Sequence, residues 1–159
     1  MEAAHWAQAL QDSSFAAAVR GGAYVYPFVN VLHILGVGLI VGSILALDFR
    51  ILGFATSVPA DGASRLLTPF AVAGLVIALP SGFALYVSDA VSLSKNNLMW
   101  AKLVLLALGI ANALLFRRLW NSRLADWARN ATAIAKAQAI LSILIWLAVP
   151  TLGRLVAYL

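Results

Sequence analysis

The stretch that decides the fold is Tyr24 to Arg50, YVYPFVNVLHILGVGLIVGSILALDFR, an apolar run with one histidine, His33, set inside it. Its apolar core is close to the ~20 residues that cross a hydrocarbon layer as a helix. Tyr24 and Tyr26 mark one interface, and Asp48 with Arg50 marks the other. An ionisable side chain inside such a run is costly in lipid, which makes His33 the first candidate for a functional residue.

The rest of the chain follows the same pattern. It has 159 residues, 63% hydrophobic and 11% charged, with a mean hydropathy of +0.93. That much apolar surface points to an integral membrane protein. Further spans are expected at about 68–87, 98–116 and 132–158, beside the first at about 24–47. The fold expected is all-α, a single four-span transmembrane bundle over residues 23–159. Residues 1–22 precede it as an N-terminal interfacial amphipathic helix, because Trp6, Leu10, Phe15 and Val19 alternate with Gln8, Gln11 and Asp12. His5, Gln8 and Asp12 share one face, readable simply as a solvated one. Glu2 stands where a secretory signal would be basic, so the Tyr24 helix is expected to be retained.

Arg50, Arg65, Arg117, Arg118, Arg123, Arg129 and Lys136 flank one side of the spans, against Arg20, Lys95, Lys102 and Arg154 on the other. This bias predicts both termini on the periplasmic side of a bacterial inner membrane. The net charge of +5 lies beside the spans rather than in one stripe, so lipid headgroups, not nucleic acid, account for it.

With that orientation His33 sits nine residues below Tyr24, about 13 Å into the outer half. Tyr26, Asn30, Tyr86, Met99, Lys102 and Arg154 fall at the same level, and His5 lies on that side. The absence of cysteine excludes disulfides and thiolate sites, and two histidines cannot build a structural zinc site. No acid sits at the depth of His33 for a serine triad, and Asp48 and Asp89 both flank the spans. Haem b suits the set better. It needs an axial histidine, a flat slot between helices and cations or hydroxyls for its propionates. His33 is the ligand candidate, with His5, a second copy of the chain or Met99 for the sixth position. Gly36, Gly74, Ala78 and Gly109 open the slot, and Lys102, Arg154 and Tyr86 meet the carboxylates. Each also has a structural reading. His33 can bond a carbonyl or Asn112, Lys102 and Arg154 can snorkel, and glycine faces such as Gly38-x-x-x-Gly42 can pack helices.

Tyr26-Pro27, Leu32-His33-x-Leu35-Gly36, Gly42 and Asp48-x-Arg50-x-Leu52-Gly53 together resemble a family of small four-helix bacterial membrane proteins of largely unassigned function. Thr68-Pro69, Ser88-Asp89-Ala90, the segment Asn97 to Phe116, and Gly153-Arg154-Leu155-x-Ala157-Tyr158 are similar to its later blocks. More distantly the chain resembles the membrane domains of copper-resistance proteins and small b-type cytochromes. That likeness implies haem or copper handling near the outer face, with His33 as ligand. Where the pattern has a histidine after the phenylalanine ending span three, this chain has Arg117, so a second cofactor there would lose its ligand.

The expected function is therefore a b-type cytochrome-like electron carrier, a redox carrier rather than an enzyme, working as a homo-oligomer with an unnamed redox partner. The alternatives are a copper-handling or transport protein, for which His33, Asn30 and Met99 would be ligands, and an accessory subunit of a larger membrane complex. Copper favours sulfur and imidazole, and the chain has only two methionines.

Overall fold

Long apolar stretches must satisfy every backbone polar group internally, and a helix is the simplest way to do so. The computed structural model describes residues 2–158, with side chains from His5 onward, and the described residues form helices joined by short turns. Two short helices open the chain, α1 (Glu2–Gln11) and α2 (Ser14–Gly21). The single N-terminal helix expected from sequence is broken here, because the Ser13 hydroxyl caps α2 by accepting from Ala16 N at 3.2 Å. Ala7, Ala16 and Val19 are buried, so both helices dock on the bundle. Arg20 fixes them by donating to the carbonyls of Gln11 and Ser88.

The first long helix is α3 (Val25–Leu52), which ends at Gly53 in the left-handed region, φ +107°. A glycine takes that conformation without strain, so the helix stops there and not at the edge of the apolar run. Pro59 precedes α4 (Ala60–Ser88), whose first turn carries the Asp61–Arg65 ion pair. The helix runs without interruption through Pro69 and Pro80. The short α5 (Ala90–Lys95) leads to α6 (Asn97–Trp120), capped by Asn96 through Leu98 N at 2.9 Å. A 3₁₀ segment, Asn121–Asp126, and α7 (Trp127–Asn130) then turn the chain into α8 (Ala133–Leu155), capped by Thr132. Helices α3, α4, α6 and α8 are long and apolar enough to cross a membrane. Their outer faces, with Phe28, Ile34, Val76, Ile134 and Leu144, are exposed and apolar.

The helices pack in the order α4, α3, α8, α6, while α4 and α6 are not closely packed on one another. One end of the bundle carries α1, α2 and α5. The opposite end is closed by an apolar core of Ile51, Ala60, Trp120, Leu124, Trp127, Ala135 and Ala139. Two indoles anchor that core. Trp127 Nε1 donates to the Ile51 carbonyl at 3.0 Å, and Trp120 Nε1 to Gln138 Oε1 at 2.6 Å.

Candidate functional site

His33 lies half-buried on α3, facing α4. Its Nδ1 is 3.0 Å from the Ala78 carbonyl and 3.2 Å from the Ser81 hydroxyl. The Ser81 hydroxyl already donates to the Ile77 carbonyl at 2.6 Å, so the Ala78 carbonyl calls for a proton on Nδ1. That leaves the Nε2 lone pair without a hydrogen-bond partner among the described residues. The ring edge rests on Gly82, where a Cβ would stand 2.8 Å from Cε1. The Lys102 side chain lies along Gly153 of α8, where a Cβ would stand 3.1 Å from Nζ.

The other outer-level candidates go elsewhere. Tyr86 stacks on Trp6 of α1, ring centroids 6.5 Å apart. Arg154 hydrogen-bonds Tyr158 and covers its ring at 4.8 Å, in the turn just past the end of α8. His5 is exposed on α1, beside the exposed Gln8–Asp12 hydrogen bond of 2.9 Å. Asn30 and Met99 are half-buried. Asn112 Nδ2 donates to the Gln138 carbonyl at 3.2 Å and is spent on α8 rather than on His33.

The glycines do not leave a slot. A Cβ on Gly36 would stand 2.8 Å from Ala78 N, so α4 fills that face backbone to backbone. Gly109 is filled by Ile145 and the Trp146 ring. One nitrogen of His33 fits a metal ligand. The flat space that a haem needs is closed between α3 and α4, so the residues present do not fit a haem held inside one chain.

Open space lies instead toward the opposite end. A cavity of about 260 Å³ is enclosed by all four long helices, from Ile40 to Asp48 on α3 and from Gln138 to Trp146 on α8. It exists because α4 and α6 do not close on each other. Val72 of α4 and Leu114 of α6, 54% and 63% exposed, line both it and the outer surface, so its mouth faces sideways between those helices.

Two polar side chains in its wall are tied to the bundle. Asn112 bonds the Gln138 carbonyl, and the Gln138 carboxamide oxygen receives Trp120. Among the described residues, two buried side-chain atoms there have no hydrogen-bond partner: Oδ2 of Asp48, only 8% exposed, and Nε1 of Trp146, 2% exposed. Ser142, one turn from Trp146 on α8, faces the Asp48 carboxyl. Sequence reading places Asp48 at a span edge, yet α3 continues four residues past it and turns it inward. The legible signal is in α8, where Gln138, Ser142 and Trp146 recur every fourth residue.

No curated protein matches the chain, and no solved structure does, so no comparison ties it to copper-resistance or cytochrome domains. Residues 5–159 match DUF6644, a family of unknown function, and the chain belongs to that family.

Proposed function

We propose that the chain is a membrane-embedded binding protein that takes a small amphipathic molecule from the lipid into the cavity between α4 and α6. One observation carries this reading: the two orphaned buried polar atoms, Asp48 Oδ2 and Trp146 Nε1, line the same cavity. A buried carboxylate or indole left unpaired costs on the order of 1–3 kcal/mol or more, and folds retain such groups where a ligand completes them. Native mass spectrometry of the protein extracted from its own membranes tests this. A bound small molecule lost in Ala71→Phe, which fills the cavity wall, supports the reading, and a wild type that carries none and takes up none overturns it.

A second reading rests on His33. Donation from Nδ1 to a backbone carbonyl is the arrangement that orients a metal-ligating imidazole, leaving Nε2 for the metal. With the α3–α4 face closed, a haem b or copper centre would belong to an assembly of copies or to a redox partner's surface. Absorption spectra of oxidised and dithionite-reduced protein, with metal analysis, test it. A Soret band or bound copper lost in His33→Ala supports it, and a colourless, metal-free wild type from haem- and copper-sufficient cells removes it. In either reading the chain sits in a bacterial inner membrane, with α1 and α2 along the outer surface.

A further inference from the structure

We infer that the cavity takes the head of a membrane-dissolved hydroquinone or its quinone, one ring oxygen on Asp48 and the other on Trp146; this rests on the binding reading above. Size sets the first limit. A cavity of 150 Å³ is known to hold benzene, so about 260 Å³ suits one substituted ring and excludes a macrocycle.

Hydrogen-bond chemistry sets the second. The Trp146 indole only donates, so the ligand must offer it an acceptor. Asp48 accepts when ionised and donates when protonated. A hydroquinone hydroxyl satisfies the carboxylate, and a quinone carbonyl satisfies the carboxylic acid. Either ring oxygen accepts from Trp146. The same two residues therefore suit both forms of the ring. An alkylammonium has only donors and leaves Trp146 unmet, a fatty acid brings a second carboxylate to Asp48, and a simple alcohol has one oxygen for two sites.

Placement sets the third. Asp48 comes from α3 and Trp146 from α8, so they approach from different walls. Trp146 packs on Ile40, two turns from Asp48 along α3, while Ser142, which faces Asp48, is one turn from Trp146. The two groups are thus staggered by roughly 6–12 Å along the bundle. A ring oxygenated at opposite ends, with a hydrogen bond of about 2.8 Å at each, spans such a gap. The mouth between Val72 and Leu114 is apolar and faces outward, which leaves an alkyl tail in lipid.

Titration of the protein in nanodiscs tests this with decyl-hydroquinone, its 1,4-dimethyl ether and decylammonium. The expected result is that decyl-hydroquinone binds wild type at least about ten-fold more tightly than Asp48→Leu or Trp146→Phe, the worth of one hydrogen bond to a charged or buried group. With Asp48 ionised, the dimethyl ether, which has no donor, should bind wild type correspondingly weakly. Unfolding curves of the variants confirm that they fold. Decyl-hydroquinone binding that is indifferent to Asp48→Leu, or to methylation when Asp48 is ionised, overturns the assignment. Decylammonium binding that Ala71→Phe abolishes, without hydroquinone binding, keeps the cavity as a binding site and removes the quinone class. No binding of any probe, with Ala71→Phe unchanged from wild type, removes both.

Discussion

Gly36 and Gly74 meet across the α3–α4 contact: a Cβ built on Gly74 would stand 2.7 Å from the Gly36 carbonyl oxygen. Backbone, not a flexible side chain, occupies the space, so neither helix can yield cheaply. Gly36→Ala or Gly74→Ala should destabilise the protein by about 1–3 kcal/mol. Gly38→Ala and Gly42→Ala, where a Cβ meets nothing within 4 Å, should be neutral or stabilising by up to about 1 kcal/mol. Thermal unfolding in one detergent compares the four. Equal losses at all of them would mean that Gly38 and Gly42 are also covered, as an oligomer contact would require.

Asp48 should limit stability rather than support it. A buried polar group left without a partner costs about 1–3 kcal/mol, which an apolar side chain of similar size does not incur. Asp48→Leu is therefore expected to raise the melting temperature of the ligand-free protein. A lowered one would show that the carboxyl is already satisfied, and the cavity would lose its claim to a ligand.

Trp127 ties the turn after α6 to the end of α3 through the Ile51 carbonyl. Trp127→Phe keeps most of the apolar contact and loses that bond, so a cost of about 1–2 kcal/mol is expected. Trp100→Phe, which loses only an exposed bond to the Ser94 carbonyl, should cost less than half as much. Chemical unfolding monitored by circular dichroism separates the two.

Orientation is open to cysteine labelling, since the native chain has none. Both Ser57, between α3 and α4, and Ser92, in α5, are exposed. In spheroplasts an impermeant maleimide should label Ser92→Cys directly and Ser57→Cys only after lysis. The reverse pattern would invert the assigned topology.

The four spans are legible because twenty apolar residues in a row leave little choice of structure. Their ends are less so, since helices run on past the hydrocarbon until a residue such as Gly53 or a cap such as Ser13 stops them. The glycines show where the sequence falls short. Gly36, Gly38 and Gly42 look alike as a small-residue seam, but only Gly36 meets α4, and which face is used depends on the partner helix. Asp48 is the larger omission. An aspartate near the end of an apolar run has the look of an interface marker, and its burial depends on Ser142 and Trp146, some ninety residues later. His33 was legible as an unusual residue, whereas its tie to the Ala78 carbonyl required the fold.

A mouth framed by Val72 and Leu114 has a consequence for how any occupant is measured. A cavity that opens to hydrocarbon samples the bilayer as its reservoir, so occupancy follows the ligand's mole fraction among lipids rather than its aqueous concentration. A compound that partitions a hundred-fold better will look a hundred-fold tighter with no change at the site. Affinities for this protein therefore become comparable only when stated per lipid.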